Sequence, residues 1–267
     1  PPPKVAFENE KFSINFRADD IFGQPKAYLF FDFLSPEAYE SPRAIASLRL
    51  FQMSFNEAIK DSAYYASLAG LNYSLDFNTK GARISFAGWS DRMGLFVEEV
   101  LSNLALHRPK SGPEFESWRD LAMRELKAAE NQQPYVHSLS MASLCLEDPK
   151  FTAEQVLGQV ENVNASEAYE KAQRLLRKSY VVGLMQGNFL EADVPKYVSS
   201  IEKTIHFDVL EPQNRPIKKV VKLPVTPISL GHIYRKEEKN LETDNSAVTI
   251  LFQLNPRGRK DEVVLEL

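Results

Sequence analysis

Two stretches of alternating apolar residues lie near the start of the chain with no helix pattern between them, and this order constrains the fold more than any other feature. Phe12, Ile14 and Phe16 recur at every second position, the period of a strand with one buried face. After Asp19-Asp20 and Gly23-Gln24-Pro25 comes an aromatic-rich run over residues 27–34, which reads as a well-buried strand ended by Ser35-Pro36. A doubly wound α/β fold places a helix after every strand. Here two strands precede the first helix, and a hairpin over residues 71–77 and 82–89 follows the second, with one solvated face and a turn at 78–81. The expectation is therefore α+β, with a cluster of helices alongside the strands.

The helices announce themselves by their ends as much as by their stripes. Ser41-Pro42 supplies an N-cap and a first-turn proline for a helix whose apolar face is Ile45, Leu48, Phe51, Phe55 and Ile59. Asp61 caps a shorter helix that Gly70 stops. Ser90 caps a helix with the stripe Met93, Phe96, Val97, Val100, Leu101 and Leu104, and Ser111 with Glu114 forms a capping box for the next. Helices also begin at Gln133-Pro134, at the Thr152/Gln155 capping box and at Asn164; a strand runs over 180–185, and Val194, Val198, Ile201 and Ile205 form a last helical face. After His206 the segment Glu211-Pro212-Gln213-Asn214-Arg215-Pro216 has linker chemistry. Strand-like stretches follow at 220–223, 229–234 and 247–254, and residues 261–267 read as the start of a helix. The boundaries expected from this are residues 1–8 as a linker or extension, 9–210 as one α+β domain, and 211–267 as a linker and the opening of a second, truncated domain.

Charge and cysteine usage exclude several function classes. The net charge is −4, and the densest basic spots, Lys218-Lys219 and 257–260, lack interleaved aromatics, so nucleic acid is not an expected partner. No run of 18 apolar residues occurs, so no membrane span is expected, and the proline-rich start does not read as a signal peptide. The single cysteine, Cys145, rules out a disulfide framework within the chain and points to a reducing, cytoplasmic compartment. Its apolar neighbourhood suggests a buried, inert thiol.

Four stretches resemble the insulysin/pitrilysin family of inverzincin zinc metallopeptidases. They are Pro25-Lys26-Ala27 running through Phe31-Asp32-Phe33-Leu34-Ser35-Pro36, Tyr64-Tyr65-Ala66-Ser67-Leu68-Ala69-Gly70-Leu71 followed by Tyr73, Gln133-Pro134 with His137, and Leu184-Met185-Gln186-Gly187-Asn188. They occur in the family's order, and the resemblance covers essentially the whole chain, placing it at the first domain of the C-terminal, non-catalytic half. It implies a two-layer sandwich, an antiparallel sheet with helices on one face, as in mitochondrial processing peptidase subunits. It also implies a zinc endopeptidase as parent, with zinc held by the N-terminal half, and that half and peptide substrates as partners.

The family's H-x-x-E-H needs its residues three and four apart on one helix face, so that two imidazoles meet one ion while the glutamate polarises its water. The helix expected to correspond carries Leu48-Arg49-Leu50-Phe51-Gln52-Met53 and no histidine. The four histidines, His107, His137, His206 and His232, are scattered, the two nearest being 206 and 232. Each reads as a surface or structural histidine, with His137 set apart only by its place in the Gln-Pro segment. Glu57, Glu98, Glu99 and Glu125 could pair as catalytic acids but read as solvated helix faces. No nucleophile elbow, P-loop or dinucleotide motif is present. The expectation is no catalytic residue, no metal ligand and no cofactor in this segment, which would be an inactive wall of the chamber that encloses the peptide. Two other readings stay open: a catalytically dead structural or peptide-binding module of the same fold, and a free-standing zinc enzyme with an unorthodox site.

Overall fold

A computed structural model of the chain describes residues 2–217, 219–222, 232–237, 240 and 243–253. The chain divides into two compact units, Pro1–Lys127 with Phe151–Lys218, and Ala128–Lys150 with Lys219–Leu267. The first unit holds a six-stranded sheet built from β1 (Lys4–Glu8), β2 (Phe12–Ala18), β3 (Lys26–Leu34), β4 (Asn72–Asn78), β5 (Gly81–Trp89) and a late strand, Tyr180–Gly187. Its helices are α1 (Pro42–Ala58), α2 (Lys60–Leu68), α3 (Ser90–Leu106) and α4 (Pro113–Ala128), then α6 (Ala153–Val160), α7 (Ala165–Arg177) and α8 (Val194–Thr204). The second unit contains α5 (Pro134–Leu146) and the short strand β6 (Glu147–Asp148), which pairs with β8 (Lys219–Val220). The late strand of the first unit is β7.

The strand order is β1-β2-β7-β3-β5-β4. β3 is antiparallel to both of its neighbours, β5 and β7, and β4–β5 is the expected hairpin. The β2–β7 pair is parallel, with Phe12 opposite Val181 and Phe16 opposite Met185, so the sheet is mixed where a wholly antiparallel one was expected. The chain travels through the helix layer between these two strands, and a crossover that long can return in either direction, whereas a tight hairpin can return only antiparallel.

One face of the sheet and the apolar stripes of the helices form a single core. Ala27, Leu29, Phe31 and Phe33 of β3 are fully buried, as are Phe12 and Ile14 of β2. They meet Leu48, Phe51 and Phe55 of α1, the Met93–Leu104 stripe of α3, Ala168, Ala172, Leu175 and Leu176 of α7, and Val194, Val198 and Ile201 of α8. Phe86 of β5 stands edge-on to Phe96 of α3, ring centres 5.9 Å apart, one of several aromatic pairs between the two layers.

Three expected caps form as read. The Ser41 hydroxyl accepts from the Ala44 amide, Thr152 and Gln155 close a reciprocal capping box, and Asn164 accepts from the Glu167 amide. Ser90 does not cap: Trp89 takes the N-cap position, and Ser90, the first residue of α3, turns its hydroxyl to the Pro25 carbonyl. Cys145 is exposed rather than buried, because α5 buries only Pro134 among its residues. Among the described residues beyond 216, Lys219–Val220 is the only strand; residues 232–234 and 247–253 are not strands, and the rest of the expected strands lies outside the described residues. Residues 261–267 lie outside the described set.

Near the end of β3, Glu37 is buried among cations. Lys171 bonds it at 2.8 Å and Lys178 at 3.2 Å, while Lys171 also holds Glu40 at 2.6 Å. Burial alone would raise the Glu37 pKa, but the two ammonium groups outweigh it and hold the carboxyl below its ordinary value. Stability from this cluster is present above the ordinary glutamate pKa and lost as pH falls through the lowered one. Glu37→Gln strands buried Lys171 with less compensation and should cost about 2–4 kcal/mol at neutral pH, read from urea midpoints. Phe86→Ala should cost about 3–5 kcal/mol by removing a fully buried ring that packs the sheet on α3.

Candidate functional site

The face of the sheet turned away from the core is the most distinctive surface of the first unit. Along β3 it presents Lys26, Tyr28 and Phe30, alternating with the buried residues. Register places Trp89 opposite Lys26, Ala87 and Gln186 on either side of Tyr28, and Ser85 and Leu184 on either side of Phe30. Trp89 is 44% exposed, Tyr28 42% and Phe30 37%, so three large rings sit in one region of solvent-facing sheet. Exposed apolar patches of this kind mark binding surfaces more often than scattered single residues do. One end is charged: Arg83 bridges Asp32 through two bonds of 2.6 and 2.7 Å, and Asp76 lies opposite Arg83 on the other side. The Asp32 carboxylate raises the Arg83 pKa further, so the guanidinium stays charged. The other end carries Lys26, whose ammonium lies 5.7 Å from the Trp89 ring centre.

Sequence reading missed this face because β3 is aromatic on both sides, which looks like a strand buried on both sides. The signal was present in the ends: Lys26 and Asp32 share the parity of Tyr28 and Phe30, and neither charge belongs in a core.

Two of the family-like motifs shape this surface. Gly70 ends α2 at φ +77°, and a Cβ there would lie 2.5 Å from the Trp89 indole nitrogen, so the glycine lets the ring lie flat against the turn. Trp89, Leu71 and Pro25 line an open hollow of about 420 Å³. Gly187-Asn188 ties three elements together: the Asn188 amide donates to the Lys26 carbonyl at 2.8 Å, and its side-chain amide donates to the Ser90 hydroxyl at 2.8 Å.

The helix expected to correspond to the zinc helix is α1, and its solvent side is occupied by other interactions. Arg49 donates to Glu125 of α4 at 2.6 Å, and the Gln52 side-chain amide donates to the Leu75 carbonyl of β4 at 2.5 Å. A guanidinium is always protonated and cannot be a metal ligand. The candidate acids are engaged or apart: Glu57 pairs with Lys60, Glu98 accepts from Ser200, and Glu99 is exposed. Among the described residues no three His, Cys, Asp or Glu are grouped to hold a metal ion, so these side chains do not fit a zinc site. His107 lies between Phe51 and Phe55, ring centres 5.4 and 5.7 Å away, and its Nε2 is 2.8 Å from the Ser54 hydroxyl. His137 reaches the Ala129 carbonyl at 2.8 Å; His206 and His232 are exposed. No helix among the described residues is long and apolar enough to cross a membrane.

Residues 1–159 match the family model described as the middle or third domain of peptidase M16. Insulin-degrading enzyme-like 2 of Arabidopsis thaliana is 27% identical over 251 residues, covering 92% of this chain and 25% of that protein. The putative zinc protease mug138 of Schizosaccharomyces pombe is 26% identical with the same coverage, and human insulin-degrading enzyme is 24% identical over 271 residues, 100% of this chain and 26% of its own length. The chain thus spans about a quarter of the length of these curated relatives. The crystal structure of pitrilysin superposes with a TM-score of 0.71 at 16% identity, over 76% of this chain and 22% of that one, which establishes a shared fold.

Burial lowers the His107 pKa below its ordinary value. The unfolded chain therefore takes up this proton first, and stability should be unaffected above about pH 6.5 and fall as pH drops below it. His107→Gln should flatten that part of the profile, read as the difference in urea midpoint between pH 8 and pH 5.5 for the two proteins.

Proposed function

We propose that this chain, which belongs to the M16 peptidase family and carries its middle or third domain, is a non-catalytic wall of a peptide-enclosing chamber. The observation that carries this reading is the pairing of an open aromatic sheet face with a helix packed on the other side of the sheet, α1, that carries no histidine. Hydrolysis by a bound metal needs closely spaced nitrogen and carboxylate ligands. At the corresponding place stand Arg49, paired with Glu125, and Gln52. The face of Tyr28, Phe30 and Trp89, flanked by Lys26 at one end and the Asp32–Arg83 pair at the other, suits an extended peptide, because rings accept many side chains while the flanking charges orient the chain.

On this reading the parent is a zinc endopeptidase. Zinc sits in its N-terminal half, and that half and peptides are the partners of this chain. The exposed, unpaired Cys145 fits a reducing, cytoplasmic setting. Residues 9–210, apart from 128–150, act as the wall domain together with its edge strand Lys4–Glu8, and 211–267 act as the passage into a second, homologous domain. A catalytically dead structural or peptide-binding module is the second reading; its relatives would lack H-x-x-E-H upstream, whereas the relatives here include proteins named as a zinc protease and insulin-degrading enzymes, which favours the first.

The chain alone should cleave no fluorogenic peptide, with or without a chelator. Mixed with a catalytic N-terminal half and the remainder of the C-terminal half, it should restore cleavage. The Tyr28→Ser/Phe30→Ser pair should lower kcat/KM for that cleavage by about tenfold, equivalent to about 1.4 kcal/mol, without lowering the thermal midpoint. Chelator-resistant cleavage by the isolated chain, or full activity in the double variant, would contradict the proposal.

A further inference from the structure

A sheet of six strands has two edges, and they are protected differently. β1 is short and its register is broken between Val5 and Phe7, with Lys4 on the strand. Those are the usual devices that stop another strand from adding. β4 has none of them. Its seven residues pair with β5 without irregularity, and it contains no proline, no bulge and no lysine.

The open side of β4 can be assigned from one bond. The Leu75 carbonyl accepts from Gln52, so it points away from β5. In an antiparallel ladder the outward-facing residues alternate, which places the free backbone groups of Tyr73, Leu75 and Phe77 on the open side. Any incoming strand must put an N–H nitrogen beside the Leu75 oxygen. Gln52 Nε2 already occupies that position, 2.5 Å away. A second contact from the same helix, between the Tyr73 hydroxyl and the Asn56 side-chain oxygen at 3.2 Å, lies one step along the edge.

We propose that Gln52 is an edge plug: its amide mimics the donor of an incoming strand at the centre of β4 and keeps this edge from pairing with the β4 edge of a second copy of the chain. The strand is self-complementary about Leu75. In a two-fold antiparallel pairing Leu75 meets Leu75, Tyr73 meets Phe77, Ser74 meets Asp76 and Asn72 meets Asn78, so apolar residues face each other and no like charges are opposed. The strand's one charge, Asp76, lies opposite Arg83 of its own sheet, which leaves the plug as the device at the centre of the edge.

The experiment uses the 267-residue chain and compares it with Gln52→Ala, whose side chain cannot reach the edge. Sedimentation velocity over a concentration series should give a constant mass for the unaltered chain and a mass rising toward twice that value for Gln52→Ala. Hydrogen exchange at the Tyr73, Leu75 and Phe77 amides should slow with concentration in the variant only. Gln52→Ser, equally too short, serves if the alanine variant does not fold. A folded short-side-chain variant that keeps the mass of the unaltered chain at every concentration overturns the proposal, as does a dimer in which those three amides gain no protection.

Discussion

The pairing of β3 on both of its edges, with one face buried to completion, is the constraint on which the first unit depends. β3 is hydrogen-bonded to β5 and β7 along nearly its whole length. Ala27, Leu29, Phe31 and Phe33 have no exposure. A strand's faces alternate with a period of two, so a slip of one residue would carry all four into water and turn Lys26 and Asp32 inward. The same alternation that locks the register commits Tyr28 and Phe30 to the open face. The core and the candidate binding surface are two sides of one decision, and neither can be altered by sliding the strand.

Around this centre, local chemistry explains the elements that sequence reading found. Ser41-Pro42, Thr152/Gln155 and Asn164 each satisfy orphan amides at a helix start using residues adjacent in sequence, so their structure is written within a few positions. What was not legible depends on distant partners. The parallel direction of β2 against β7 is set by a strand more than 160 residues away. Ser90 resembles a cap in isolation, yet its hydroxyl is drawn to Pro25 and Asn188, neither of which is near it in sequence. The alternating residues beyond 230 look like strands, but a strand needs a neighbour to pair with, and the described residues there make no ladder.

The candidate site was legible mainly as an absence. The α1 sequence shows that this helix carries no histidine, but not what its polar side chains do. In the folded chain Arg49 crosses to Glu125, 76 positions later, and Gln52 reaches back across the sheet edge to Leu75. Both are interactions of a helix that holds its surroundings together. His107, which packs on this helix, is enclosed by Phe51 and Phe55 and bonded to Ser54, an arrangement that favours a neutral, structural ring. The M16 fold is thus retained in its sheet and helix layer, and the polar side chains of α1 are engaged in ion pairing and hydrogen bonding.

The central claim is that this segment holds no catalytic metal. Metal analysis of the purified chain, after incubation with excess zinc and removal of loosely bound ions, tests it most directly. The account predicts zinc far below one ion per chain, unchanged in Arg49→Ala. One tightly retained zinc per chain, released only by chelator, would contradict it.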